Sequence, residues 1–215
     1  MKPHALDLFC GAGGASMGLH RVGFEVVGVD IKPQPRYPFE FHRADALTFP
    51  LDGYDFIWAS PVCKAYTRAK RIHGDKQEYP RDQISAVRDR LQRSGLPYVI
   101  ENVPGAPLLN PFLLCGLMFG LRVLRHRHFE SNVLFPQPVH PRHAGTTNSH
   151  RGMGKGGEYV CVAGHNFLVS EATSAMQIDW MVQSEISQAV PPAYSEFIGR
   201  QIMEFKGRLE LTNRR

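Results

Sequence analysis

Residues 4–30 constrain the fold more than any other stretch of this chain. Residues 4–9 suit a short buried strand. Gly11, Gly13 and Gly14 follow as a turn, and Ala15 to Val22 carry helical apolar spacing at Met17, Leu19 and Val22 before Gly23 closes the helix. Phe24 to Val29 is a β-rich run ending at Asp30. Strand, crossover helix and second strand within roughly 30 residues feed a right-handed parallel sheet. The pattern repeats downstream. Phe41 to Ala44 reads as a short strand before Asp45, and Phe56 to Ala59 as a buried strand entering Ser60-Pro61. Gln83 to Arg93 reads as an amphipathic helix with Ile84, Val87 and Leu91 on one face, and Tyr98 to Ile100 as a strand ending at Glu101. The expectation is an open α/β sheet, in which ligands bind at the carboxyl ends of the strands.

The rest of the chain is less periodic. Residues 131–157 hold Pro136, Pro138 and Pro141 among glycines and histidines and read as a long irregular insert. Tyr159 to Ala163 reads as a strand, Ser174 to Met181 and Pro192 to Phe205 as helices, and Leu209–Arg215 as a frayed tail. At 215 residues, 43% of them hydrophobic and 21% charged, residues 1–215 suit a single domain with an adequate core. No apolar run nears the ~20 residues of a membrane helix, and no secretion signal opens the chain. A cytoplasmic protein without a membrane partner is expected. The four cysteines, Cys10, Cys63, Cys115 and Cys161, are far apart, so a disulfide framework is not expected and a thiol is free to act as a reagent.

Three short stretches carry chemistry. The glycine turn lets backbone approach a ligand closely, and Asp30, a carboxylate ending the second strand, suits two ribose hydroxyls. Dinucleotides, phosphates and adenosylmethionine all use such turns. Ser60-Pro61-Val62-Cys63 places a thiol at a strand end, flanked by Lys64 and near Arg68, cations that favour thiolate. Glu101-Asn102-Val103 places a carboxyl at the end of another strand. A partly exposed nucleophilic cysteine and an acid able to hold a proton in a dry pocket suit addition to a pyrimidine ring.

Asp7-Leu8-Phe9-Cys10-Gly11-Ala12-Gly13-Gly14 resembles the opening motif of the DNA cytosine-5 methyltransferase family. Pro61-Val62-Cys63, Glu101-Asn102-Val103 and Arg125-His126-Arg127 resemble its later motifs, and the resemblance covers residues 5–130 and 176–205. It implies a Rossmann-like methyltransferase fold, with a mostly parallel mixed sheet and helices on both faces. It also implies S-adenosylmethionine as methyl donor and DNA as partner, in a compact bacterial or phage enzyme. Phe9 would pack on the adenine, Gly11 and Gly13 would admit the methionine end, Asp30 would hold the ribose, and Asp45 would accept the adenine amino group, although Asp45 equally suits a helix cap. Pro61 and Val190 would line the donor site. Cys63 would attack cytosine carbon 6, Glu101 would donate to ring nitrogen 3, and Arg127 would fix the ring.

The chain departs from that family in instructive places. The proline directly before the cysteine is replaced by Val62, and Lys64 stands where an amide is usual. Ser187-Gln188-Ala189-Val190-Pro191-Pro192 keeps the valine and prolines but not the preceding Gly-Asn. The region between Arg127 and the last motifs, about 50 residues long, is far shorter than a target-recognition domain. RNA, a free cytidine nucleotide, a modified donor whose added carboxylate meets Lys64 or Gln188, or a non-catalytic nucleic-acid-binding relative therefore stand as alternatives. The net charge of +5 favours a polyanionic partner. Lys64, Arg68, Arg125, Arg142 and Arg151 are the candidate nucleic-acid contacts. No metal site is expected, because His126-x-His128 and His140-x-x-His143 have no matched cysteine pair.

Overall fold

The computed structural model describes residues 2–63, 66, 83–145, 147–148, 157–164 and 167–212. Nine strands are described: β1 (His4–Leu8), β2 (Glu25–Asp30), β3 (Glu40–Arg43), β4 (Phe56–Ala59), β5 (Tyr98–Asn102), β6 (Phe112–Leu114), β7 (Arg127–Ser131), β8 (Thr147–Asn148) and β9 (Tyr159–Val160). The described helices are α1 (Gly14–Arg21), α2 (Gln83–Ser94), α3 (Val169–Met176), α4 (Gln183–Ile186) and α5 (Pro192–Thr212). Seven strands form one sheet in the order β3-β2-β1-β4-β5-β7-β6, and β8 pairs with β9 in a separate two-stranded ladder. Strands β1 to β5 are parallel, while β7 runs antiparallel to both β5 and β6.

Both faces of this sheet are covered, and the period of two in its strands divides them. Ala5, Phe56, Trp58 and Val99 enter one core with α1, α3 and α5. Leu6, Leu8, Ile57, Ala59 and Ile100 enter the other with Ile84, Val87 and Leu91 of α2. Helix α1 lies against α5 so closely that a Cβ on Gly18 would overlap the backbone of Pro192 and Glu196 and the hydroxyl of Ser195.

The α/β expectation holds, and the differences lie in the second half. Strands β6 and β7 were not legible because β7 reads Arg-His-Phe-Glu-Ser, polar at four of five positions. Arg127, Glu130 and Ser131 find partners within the protein. Glu130 is buried and takes a two-pronged ion pair from Arg88, Nε to Oε1 at 2.6 Å and Nη2 to Oε2 at 2.8 Å, while the Leu109 amide donates to Oε2 at 2.7 Å. The segment read as insert 131–157 begins with the last residue of β7 and contains β8. The strand expected at Tyr159 to Ala163 is only Tyr159–Val160. The helix expected from Ser174 to Met181 starts earlier, at Val169, and ends at Met176, where Gln177 turns left-handed at φ 56°. The last helix continues to Thr212 instead of fraying at 209.

Candidate active site

The parallel strands deliver the sequence-predicted residues to one edge, in spatial order. Asp45 follows β3, Asp30 ends β2, the glycine turn follows β1, Pro61 to Cys63 follow β4, and Glu101 lies near the end of β5. Strand order reverses between β1 and β4, the position at which open α/β sheets form a crevice. Because β7 is antiparallel, its first residue, Arg127, reaches the same edge. The register pairs Glu101 with Phe129 and Asn102 with His128.

The glycine turn is built on three left-handed residues, Phe9 (φ 60°), Gly11 (φ 51°) and Gly13 (φ 85°). Asp30 holds it in place. The Gly11 amide donates to Asp30 Oδ2 at 3.1 Å and the Lys32 amide to Oδ1 at 2.9 Å. A Cβ on Gly11 would meet nothing within 4 Å, so the space above it is open. The opposite side is closed: Gly14 abuts the backbone of Val190, and Trp180 Nε1 donates to the Ala12 carbonyl at 2.8 Å. Thus Val190, from the divergent closing segment, does reach the turn. Gln188 is engaged locally, donating to the Ser184 carbonyl at 3.1 Å. Asp45 accepts the Leu47 amide at 2.9 Å while its carbonyl accepts those of Thr48 and Phe49, so it closes a turn, and no helix follows it.

Beneath the turn lies a polar chain not foreseen as part of the site. Ser16 donates to Asp7 Oδ2, and the Tyr37 hydroxyl lies 2.8 Å from Ser16 Oγ. Tyr37 covers Gly28, where a Cβ would collide with its ring, and Gly13, where a Cβ would meet the ring tightly. Asp7 is fully buried and its Oδ1 has no hydrogen-bond partner. Burial, with the charge of Asp30 adding to it, pushes its carboxyl up from 3.8 to about 7, against the Ser16 hydrogen bond. Between those values the folded chain holds a proton that the unfolded chain has released. The contribution of Asp7 to stability therefore falls as pH rises through that window. Asp7→Asn is expected to flatten the slope of unfolding free energy against pH there, measured by urea titration at several pH values. An unchanged slope would place the buried charge elsewhere.

An open space above Gly11, a carboxylate at Asp30 and an orphaned buried carboxylate oxygen at Asp7 fit a ligand with hydroxyl and ammonium groups. S-adenosylmethionine has both.

The second half of the edge holds Cys63, Glu101 and Arg127. Glu101 is buried, and Arg127 Nε lies 2.9 Å from its Oε1. Burial pushes the Glu101 carboxyl up, opposed by Arg127, by a hydrogen bond from Ser60 and by Arg125. Cys63 is half-buried and free. Burial and the Glu101 charge push its thiol up, opposed by Arg127 and Arg125. The expectation of a thiolate favoured by Lys64 and Arg68 falls on residues outside the described ones, and Arg151 lies outside them too. Among the described residues, the cations that act on the sulfur come from the Arg-x-Arg motif, and they do not outweigh burial.

Arg125 is corrected as a nucleic-acid contact. It is buried, and its guanidinium donates to the carbonyls of Val162 at 2.6 Å and Ser187 at 2.7 Å, while Tyr194 donates to its own carbonyl. Burial pulls it down to about 9. It ties the segment around Ser187 to the start of β7, beside Arg127. Arg142 is exposed, as a phosphate contact requires. Asn102 is the residue that sequence reasoning passed over: buried, it donates to the Pro61 carbonyl at 2.9 Å and accepts the Val103 amide at 2.9 Å. It thereby fixes the Cys63 loop to the strand bearing Glu101. Its place in the Glu-Asn-Val triplet was the available signal.

No protein-family model matches the chain, and no curated protein sequence does. Among solved structures it is similar to the methyltransferase EhMeth of Entamoeba histolytica, at 12% identity and a TM-score of 0.58, over 95% of this chain and 98% of that one. It is also similar to DNMT2 of Spodoptera frugiperda, with 20% identity, a TM-score of 0.47 and coverage of 63% of this chain and 52% of that one. The Dnmt2 methyltransferase of S. pombe matches at 18% identity and a TM-score of 0.43, over 60% of this chain and 50% of that one. The chain thus spans about half the length of these last two. The sheet order and the EhMeth likeness establish the Rossmann-like methyltransferase fold. Among the described residues no helix is long and apolar enough to cross a membrane.

Proposed function

We propose that this protein transfers a methyl group from S-adenosylmethionine to carbon 5 of cytosine in DNA. The observation that carries the reading is the Glu101–Arg127 pair, acting on Cys63 at the strand edge that also bears the glycine turn. Phe9, Gly11, Gly13 and Asp30 would hold the donor, with Asp7 beneath and Val190 closing the far side. Bound there, the donor supplies an electrophilic methyl. Cys63 releases its proton to solvent and its sulfur bonds to carbon 6 of the ring. Glu101 gives its proton to ring nitrogen 3, so the electron pair displaced from the ring double bond makes carbon 5 nucleophilic. Carbon 5 would take the methyl as the donor's sulfonium–methyl bond breaks and leaves a thioether; the carbon 5 proton is then lost to solvent, the bond between carbon 6 and the Cys63 sulfur breaks, and Glu101 recovers its proton. Arg127 holds the Glu101 carboxyl in line, and burial favours its protonated form. A cytosine in duplex must leave the stack to meet this edge, and Arg142, which is exposed, would neutralise phosphate.

The test is incubation with methyl-labelled donor and, in parallel, duplex DNA, RNA and dCMP, followed by digestion and mass identification of the base. Label in 5-methylcytosine from DNA is the expected result. Label confined to RNA or to the nucleotide would move the substrate while keeping the chemistry. No labelled pyrimidine in any arm would overturn the proposal.

A further inference from the structure

At the strand edge bearing Arg127, four side chains with metal-ligating atoms converge. Cys115, His126, His140 and His143 present one ligand atom each, all within 4.8 Å of one another. Cys115 Sγ lies 3.5 Å from His143 Nε2, and His126 Nε2 lies 3.0 Å from His140 Nε2. The three imidazole centroids are 4.8 to 5.3 Å apart. A tetrahedral zinc ion bound by nitrogen at about 2.05 Å and sulfur at about 2.3 Å sets neighbouring ligand atoms about 3.4 to 3.6 Å apart. The observed separations bracket that spacing.

The topology explains the convergence. Strand β6 runs parallel to β5 and β7 antiparallel to it, so Cys115, just after β6, and His126, just before β7, meet at one edge. His140 and His143 come from the irregular segment that follows β7.

We propose that Cys115, His126, His140 and His143 form a closed structural zinc site that staples segment 131–145 to the strand edge bearing Arg127. Three nitrogen donors and one sulfur donor select zinc over oxygen-seeking cations, and four protein ligands leave no position for substrate. Binding expels one proton, from the Cys115 thiol, to solvent. Spacing alone does not reveal this site, because its single cysteine is paired with histidines only by the antiparallel turn of the chain. Arg127 Nη1 donates to the His126 carbonyl at 2.8 Å, so the staple would also steady the arginine that holds Glu101.

The test is the metal content of the full chain, expressed with zinc supplied and measured by plasma mass spectrometry. About one zinc per chain is expected. The double variant His140→Ala/His143→Ala, altered only in the irregular segment, should keep its far-ultraviolet circular dichroism and lose the metal. Cobalt(II) added to the chelator-stripped chain should give a sulfur-to-cobalt charge-transfer band that is absent in Cys115→Ser. If Cys115→Ser does not fold, the double histidine variant decides. A folded wild-type chain that retains no zinc and gives no cobalt band would overturn the proposal, as would full zinc retention by the double variant. These readouts do not depend on methyl transfer, so this site and the proposed activity stand or fall separately.

Discussion

Cys63→Ala should leave donor binding within about twofold of the parent and lower methylation of cytosine by at least about 10⁴-fold, as loss of a covalent nucleophile does. The two effects separate because the cysteine and the donor turn belong to different strands of the same edge. The turn is assembled by Asp30 and its backbone contacts and closed by Val190 and Trp180, none of which needs the sulfur. Removal of the thiol also removes little packing, since Cys63 is only half-buried. Donor binding by calorimetry and single-turnover methylation measure the two terms. Equal loss of both would mean that the residue holds the fold and is not the nucleophile. In the parent, burial and Glu101 hold the thiol up, so the rate should also climb with pH on the alkaline side of neutrality.

Gly18→Ala should destabilise the protein by about 3 kcal/mol, at or above the usual range for overpacking, and weaken donor binding with it. Helix propensity alone predicts the opposite sign, a gain of about 1 kcal/mol. Geometry decides against propensity here. The added methyl would meet the Pro192 carbonyl and the Glu196 amide, backbone atoms that cannot rotate away. Helix α5 would have to move off α1, carrying Val190 away from Gly14. Urea unfolding and donor titration on the same preparation test this. Unchanged or increased stability would show that the α1–α5 contact is looser than described.

The first half of the fold was legible because its strands are buried on both faces and its connections carry glycine and proline where a parallel sheet needs them. Strands β1, β2, β4 and β5 appear within a residue or two of their expected bounds. The antiparallel pair β6–β7 was hidden by its charges. Glu130 looks solvent-facing until Arg88, far away in the chain, is seen to neutralise it. The same limit applied to the site. Asp30, Cys63 and Glu101 could be assigned from strand ends, while Phe9 came only with the family resemblance. Arg125 could not, because a buried arginine and a phosphate-facing one have the same letter, and its partners Val162 and Ser187 are visible only in three dimensions. The Asp7–Ser16–Tyr37 chain was missed for a related reason: no spacing rule connects a strand, a helix and a loop.

The most direct measurement uses duplex DNA containing 5-fluorocytosine, in which carbon 5 cannot lose a proton and the carbon–sulfur bond cannot be released. With donor present, the chain should form a denaturation-resistant adduct whose mass equals protein plus methylated oligonucleotide, and peptide mapping should place the link on Cys63. An adduct absent under conditions in which donor and DNA both bind, or one attached to another cysteine, would contradict the account.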